Sequence, residues 1–492
     1  MNRNAFSLSV LLVLGAAALV PAATITAVVL DGDIVPGVGA VTAVDNVAVN
    51  NLGNWLALVD TDGVTTADMC VLSGGPGGGF IMKYREGQSL IGLPIGVLSS
   101  IDGFCINDAG NSGWNFFLSG TGSTNNDSGI FYNDQLVIQE GTMAASPPFE
   151  PGTPYIGFFD ARMNNADQIA IIASVDAPSI PTSVDRAMVI IGNPTGAYTT
   201  TLVAIEGDQL LPGRFVSDFG TGPHQYDIND SGQLMYFADL DGSTTDDGTI
   251  WLNNTLLMRE GDPSPISGRT YATLTGNFSL NNNGQYAVLA SLSGDAASNS
   301  VIIKNNSTIV IQEGSSLPAI GGTFTFTSFG TGPVDIDDLG RVLWFGDWDD
   351  PDTSRDTGLF LDDRLLVQEG VTMINGLPLT LIRSLAGGYA ISPNGRYVIF
   401  RGQIGSAIDG AFLIDLGPQG CLGDSDCDGD VDFDDIDFLV AALSGQQAWI
   451  DLHIQVFGQA PSCPYDNNDL DGGGVSFDDI DPFVAAIGSV CP

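Results

Sequence analysis

A phrase of the form apolar-apolar-x-Glu-Gly recurs through this chain, and no feature restricts its fold more. It stands at Glu86-Gly87, Glu140-Gly141, Glu206-Gly207, Glu260-Gly261, Glu313-Gly314 and Glu369-Gly370, with a variant at Val28-Val29-Leu30-Asp31-Gly32-Asp33. The chain holds only seven glutamates, and six of them sit in this phrase. Such placement points to one structural job repeated in each unit rather than to a single active site. A second phrase falls between the copies of the first. It is rich in Asn and Asp, ends in Gly and leads into an apolar run: Asn107-Asp108-Ala109-Gly110, Asn229-Asp230-Ser231-Gly232, Asn281-Asn282-Asn283-Gly284, Asp337-Asp338-Leu339-Gly340 and Pro393-Asn394-Gly395. Weaker copies surround Gly53 and Asp167. These seven copies are spaced by roughly 52 to 65 residues, near the longer propeller repeats.

Each unit reads as four short strands. In the best copy these are Asn277 to Leu280, Gln285 to Leu292, Val301 to Lys304 and Thr308 to Gln312. Strands three and four meet at Asn133-Asp134, Asn253-Asn254, Asn305-Asn306 and Asp362-Asp363, residue types that tolerate the positive φ of a type I′ hairpin turn. The expectation is an all-β chain of about seven four-stranded blades, a β-propeller, over residues 23–417. The last unit lacks a strand ending in Glu-Gly, and Ile25 to Leu30 is such a strand with nothing before it. The N-terminal strand should therefore complete the final blade and remove two exposed sheet edges. The same repeat also fits six or eight blades, or an open β-solenoid.

Residues 1–22 read as a signal peptide: Arg3, an apolar run from Leu8 to Val20, and a small-residue cleavage site at Val20-Pro21-Ala22. The run is too short for a membrane span, and no later segment is long and apolar enough to cross a bilayer. The expected location is secreted, extracellular or at the cell surface. Six cysteines in an exported chain suit disulfides. Four of them fall after residue 420, and Cys70 with Cys105 forms a candidate separate pair. A formal charge of −43, from 15 basic against 58 acidic residues, argues against nucleic acid and anionic membrane surfaces.

Residues 421–492 hold fifteen Asp and no Lys or Arg, so bound cations would relieve their repulsion. In the first loop Asp424, Asp426, Asp428, Asp430, Asp432 and Asp435 take positions 1, 3, 5, 7, 9 and 12, with Gly429 at 6. That is the oxygen-ligand spacing of an EF-hand calcium loop. A helix follows, with Ile436, Leu439, Val440 and Leu443 on one face. A second loop uses Asn467, Asp469, Asp471, Ser476 and Asp479 if one extra Gly is allowed, and Ile480, Phe483, Val484 and Ile487 repeat the helix face. Both copies read Val-x-Phe-Asp-Asp-Ile-Asp, at Val431 to Asp437 and Val475 to Asp481.

Two such loops, each followed by one helix, resemble a type I dockerin. The resemblance implies a small α-helical module that folds with calcium and docks onto a cohesin-like scaffold or cell-surface protein. Positions 10 and 11, usually small hydroxyl residues in dockerins of cellulose-degrading complexes, are Phe433-Asp434 and Phe477-Asp478 here. The repeat region is similar to secreted bacterial Glu-Gly-Asp repeat proteins without an established activity.

Little in the sequence points to catalysis. It has no Gly-x-Ser-x-Gly elbow, phosphate loop or paired Cys/His ligands. His224 lies in Phe219-Gly-Thr-Gly-Pro-His224 and matches Val334 of the sister phrase Phe329-Gly-Thr-Gly-Pro-Val334, so it reads as a structural or loop residue. The Asp-rich stretches at Asp60-Asp62, Asp239-Asp241 and Asp347-Asp350 read first as polar turns, with extra calcium sites or sugar-binding acids as the functional alternatives. Trp55, Trp114, Trp251 and Trp344 fall in strand-like runs and read as core, leaving Trp348 as a residue that could stack on a sugar. The leading expectation is a non-catalytic binding or scaffold-attached protein whose propeller presents a surface to a ligand such as a polysaccharide. A secreted polysaccharide hydrolase or lyase and a structural cell-surface protein are the alternatives. An enzyme should show acids in the channel that break the repeat pattern; a structural protein should show equivalent residues in every blade.

Overall fold

The computed structural model describes residues 24–490 apart from 183, 221, 223, 321–323, 418–420, 458–460, 462, 464, 472 and 473. The predicted signal peptide and Cys491 therefore lie outside the described residues. The chain divides into two compact units, one of residues 24–416 and one containing residues 417–492.

The first unit is a seven-bladed β-propeller built from seven antiparallel sheets. In blade five, strands Tyr271–Leu280, Tyr286–Leu292, Ser300–Lys304 and Thr308–Gln312 run from the channel outward. Apolar faces of neighbouring blades meet in separate cores. One holds Trp55 and Val59 of blade one against Ile399 and Leu413 of blade seven. Trp348 is also core, 2 % exposed against Phe360, so it cannot stack on a ligand. The strand-to-strand junction at Asn305-Asn306 has both residues at positive φ, as a type I′ turn requires. At the other three junctions only Asn133, Asn253 and Asp362 are left-handed. At all four junctions the first side chain accepts the N–H that opens strand two: Asn133 from Ser112, Asn253 from Leu234, Asn305 from Tyr286 and Asp362 from Val342.

The Glu-Gly phrase has a physical cause. All seven of its glycines have φ between +69° and +89°, a region costly for residues with a Cβ. Each glycine N–H then donates to the first strand of the next blade, as Gly87 does to Leu98 and Gly370 to Leu379. Several of the glutamates fold back on their own blade, and Glu260 also accepts the Leu274 N–H of the next. Glu260 accepts from Gly248 N–H, Glu313 from Ser300 N–H and Glu369 from the Thr357 hydroxyl, each at the start of strand three.

The Asn/Asp phrase ties blade to blade. Asn51 N–H donates to the Asp108 carboxylate, Asp108 N–H to Asn165, Asn165 N–H to Asp230, Asp230 N–H to Asn282 and Asn282 N–H to Asp338, all at 2.8–2.9 Å. Asp338 N–H donates to the Pro393 carbonyl, and Asn394 N–H returns to the Asn51 side chain. The belt is closed. Its residues alternate Asn and Asp, because an Asn amide can donate to a carboxylate on either side while two adjacent carboxylates would repel. Asn165 Nδ2 does this, donating to both Asp108 and Asp230. An odd number of blades forces one break in the alternation, and it falls at Pro393-Asn394. Asp167 takes the glycine place of blade three at φ +57°, which explains why that copy of the phrase is weak.

The N-terminal strand Thr24–Leu30 pairs antiparallel with Ile408–Asp415 and becomes the outer strand of blade seven. Cys70 and Cys105 are both free and buried, which corrects the candidate pair: Cys70 belongs to the outer half of blade one and Cys105 to the channel strand of blade two. Among the described residues no helix is long and apolar enough to cross a membrane.

Val29 is fully buried in the core shared by blades one and seven, whereas Thr24 is exposed on the same strand. Val29→Asp should lower unfolding stability by about 3 kcal/mol or more, and Thr24→Asp by less than about 0.5 kcal/mol. Urea denaturation of the two variants checks this, and equal effects would mean that the strand does not close the ring.

Candidate functional site

The seven inner strands enclose a cavity of about 400 Å³. Each inner strand is bulged or split midway, for example between Phe159 and Arg162 or between Asp218 and Tyr226. Bulges re-aim side chains, and here they turn polar groups into the channel. One wall position is equivalent in every blade, two residues before the buried Asn, Asp or Ser of the belt phrase. Strand register confirms the match: Arg162 pairs with Ala170, Asp227 with Met235, Ser279 with Ala287 and Asp335 with Leu343. Blades three to six thus carry Arg, Asp, Ser and Asp at this position. Blades seven, one and two carry Ala390, Ala48 and Cys105 there. The wall breaks the repeat on one arc only.

The arc is tightly bonded. Arg162 Nη2 lies 3.1 Å from Asp160 Oδ2 and 3.1 Å from His224 Nδ1. Ser279 Oγ stands 2.9 Å from Asp335 and 3.2 Å from Asp227. A hydroxyl has one proton, so it can donate to only one of the two carboxylates. Burial pushes Asp227 up to about 6, against the pull of Arg162. Asp227 also accepts the Leu280 N–H, and Asp335 the Ile391 N–H, so both acids tie their blade to the next.

His224 departs from the sequence reading. Asp227 and Asp335 are register equivalents, so Tyr226 takes the place of Val334, and His224 with Gln225 is a two-residue insertion. His224 sits at φ +65° and lines the channel. Burial, and then the Arg162 charge, holds its imidazole well below the usual range, hence neutral. Arg162 donates to Nδ1, which leaves the proton on Nε2, a buried atom without a partner.

The second unit contains the acidic loops. Asp424, Asp426 and Asp428 bring carboxylate oxygens within 4.8 Å of one another, as do Asp430, Asp432 and Asp435. Asp435 is buried and accepts N–H groups of Ser425, Asp426 and Asp432. Burial, reinforced by the Asp435 charge, pushes Asp424 and Asp426 up to about 7. A hard cation would reverse that shift, and an all-oxygen donor set suits one. In the second loop Asp479 accepts from Leu470, Asp471 and Ser476 in the same pattern. Gly474 N–H donates to Asp469 as Gly429 N–H does to Asp424. These matches put Asp469, not Asn467, at the place of Asp424, and make the second loop one residue shorter rather than longer. Asp469, Asp471 and Asp479 cluster, while Asn467 belongs to the short helix Tyr465–Asn468 and gives its backbone carbonyl to Gly423. Gly472 and Gly473 lie outside the described residues.

An unforeseen helix, Gln446–Phe457, separates the loops. Its buried Trp449 and His453, one turn apart, both contact the Ser425 carbonyl, and the Cys427–Cys463 disulfide joins the first loop to the segment after this helix. The i, i+4 spacing of Trp449 and His453 was the available signal.

Residues 18–256 and 253–373 match the model of a family of unknown function (DUF7453). The chain belongs to that family. The match covers the N-terminal strand and blades one to six, and stops where the inner strands of the last blade begin, before the acidic loops. No curated protein matches. Solved structures with similar coordinates include a eukaryotic initiation factor, with 9% identity, TM-score 0.33, and 77% of this chain and 92% of that one covered. A gluconolactonase from Xanthomonas campestris shows 10% identity, TM-score 0.30 and 80% and 89% coverage. An α-L-arabinofuranosidase of Fusarium graminearum, solved with arabinobiose, shows 8% identity, TM-score 0.29 and 80% and 98% coverage.

The raised carboxyl of Asp227 fixes the sign of a pH effect. The native state binds the proton more tightly than the unfolded chain, so this group's contribution is full below about pH 4 and is lost as pH rises through about 6. Asp227→Asn should remove a pH-dependent part of the stability on the order of 2–3 kcal/mol. Urea midpoints of both proteins at pH 4.5 and 7 check this; parallel pH profiles would contradict it.

Proposed function

We propose that this protein is an exported binding protein whose propeller offers its channel and rims to a ligand. Its acidic module, held by calcium, docks the chain onto a cohesin-like scaffold or cell-surface protein. The observation that carries the docking part is a doubled apolar surface. Phe433 lies near the end of the first loop with Ile436 and Val440 on the helix after it, and Phe477 lies near the end of the second with Ile480 and Val484 on its helix. All six are exposed, the phenylalanines at 73% and 77%. Exposed apolar patches of this kind mark interaction surfaces. Calcium would be held by Asp424, Asp426, Asp428, Asp430, Asp432 and Asp435 in one loop, and by Asp469, Asp471, Ser476 and Asp479 in the other. Its part is to neutralise carboxylates that otherwise repel. The Cys427–Cys463 disulfide and the sequence of residues 1–22 support export to an oxidising compartment.

The full chain should gain about 2–3 kcal/mol of stability in its acidic unit at calcium a hundredfold above Kd, read by calorimetric unfolding. Asp435→Ala should abolish the part due to the first loop. Phe433→Asp combined with Phe477→Asp should leave calcium binding intact and remove calcium-dependent retention on immobilised cohesin domains. Undiminished retention of that double variant, or unfolding indifferent to calcium, would sink the docking reading.

A second reading, a carbohydrate-active enzyme delivered by the same module, is favoured by one observation: the acids of the channel break the repeat. Release of new chain ends from a polysaccharide panel, lost in Asp227→Asn, would promote it.

A further inference from the structure

We infer that the channel itself is a binding site for an uncharged sugar of one or two rings, with Arg162 at its polar arc and Ala48 and Ala390 on the opposite, apolar arc. This rests on the reading of the propeller as a ligand-presenting domain and names the ligand class and the residues. The argument starts from asymmetry. A channel that served only to close the ring would repeat one residue at its equivalent wall position. At that position one arc is polar and the other is small and apolar, so the cavity is amphipathic at that level, with Asn46 and Asp102 as further polar groups on blades one and two. A sugar has the same division: hydroxyls that both donate and accept around its edge, and C–H groups on its face.

The polar arc can meet both roles. Arg162 uses one nitrogen, Nη2, for Asp160 and His224, and its side chain keeps 24% of its surface open to the channel. Its remaining N–H groups can donate to hydroxyl oxygens. Asp160, 16% exposed, and Asp335 offer carboxylate oxygens to hydroxyl protons. Small side chains at Ala48 and Ala390 leave room for a ring on the far side, and the cavity of about 400 Å³ lies in the range of small-ligand sites. Charge decides between sugar classes. One guanidinium faces Asp160, Asp227 and Asp335, with Asp102 also on the wall, so a uronate or a sugar phosphate enters against a carboxylate excess. The acids do not form a metal cage, because the oxygens of Asp227 and Asp335 are pinned by backbone N–H groups of two different blades.

The test is saturation-transfer NMR on the full chain with calcium present, using glucose, galactose, xylose, arabinose and cellobiose, and glucuronate and galacturonate as charged counterparts. Two variants accompany the wild type: Arg162→Gln, which removes the polar anchor, and Ala48→Leu, which fills the apolar arc without touching a hydrogen bond. The expected result is transfer to at least one neutral sugar, weakened at least tenfold in both variants, with little or none to the uronates. Three results would overturn the inference: no transfer to any neutral sugar, transfer unchanged in both variants, or preferential transfer to uronates. Transfer that survives both variants would leave the propeller a ligand binder at another surface and sink only the channel assignment. Absence of binding to any sugar or polysaccharide would sink both.

Discussion

The hydrogen-bonded belt of Asn and Asp side chains is what the rest of this structure depends on. Neighbouring blades also share apolar cores, but such contacts are non-directional and would tolerate six or eight blades. The belt is directional. Blades one to six each present one backbone N–H and one side-chain acceptor in a fixed relation, set by the left-handed residue that ends the phrase, and blade seven uses the Pro393 carbonyl and the Asn394 N–H. The alternation of Asn51, Asp108, Asn165, Asp230, Asn282 and Asp338 keeps like charges apart. A second set lies just beside it: buried Asn50, Asn164, Asn229 and Asn281 each donate a side-chain N–H to the next blade's carbonyl. Losing one partner of such a buried pair costs about 1–3 kcal/mol, so the belt is also where substitutions should be felt most.

A ring closed at its belt and at its outer strand leaves the channel wall free of closing duty in part of its circumference. Ala390, Ala48 and Cys105 illustrate the relaxed arc. On the other arc the acids do two jobs. Asp227 and Asp335 pin the next blade through Leu280 and Ile391 N–H groups, and they also create the electrostatic environment in which Arg162 and a neutral His224 face each other. The positive φ of His224 is backbone strain of the kind that persists at functional positions. The acidic module follows a different principle. Its carboxylates crowd around Asp435 and Asp479 with no Lys or Arg in residues 421–492, beside two small cores, one with Phe438 and Trp449 and one with Val431, Leu439 and Phe483.

Much of this was legible in the sequence. The Glu-Gly and Asn/Asp phrases marked the blade count and the missing outer strand, because both report backbone conformations that few residues can adopt. The carboxylate spacing from Asp424 to Asp435 was equally readable. The polar arc was not seen, although its signal was present: reading the residue two before each belt-phrase Asn, Asp or Ser gives Ala, Cys, Arg, Asp, Ser, Asp, Ala around the ring. The misalignment of His224 with Val334 hid it, since a two-residue insertion after a matching Phe-Gly-Thr-Gly-Pro looks like plain substitution. The second loop was misread for the same kind of reason. Its run of glycines allows an insertion or a deletion equally well, and only the N–H groups pointing at Asp479 fix the register. Cys70 and Cys105 looked paired by number alone, whereas their strands belong to different blades.

The account turns on the belt, and amide hydrogen exchange of the intact propeller reads it directly. The N–H groups of Asn51, Asp108, Asn165, Asp230, Asn282 and Asp338 all lie in turns, where amides usually exchange fast. If the belt closes the ring, all six should be protected to the level of the central strands and should lose protection together, only on global unfolding. Exchange at ordinary loop rates, or protection confined to a few of the six, would contradict it.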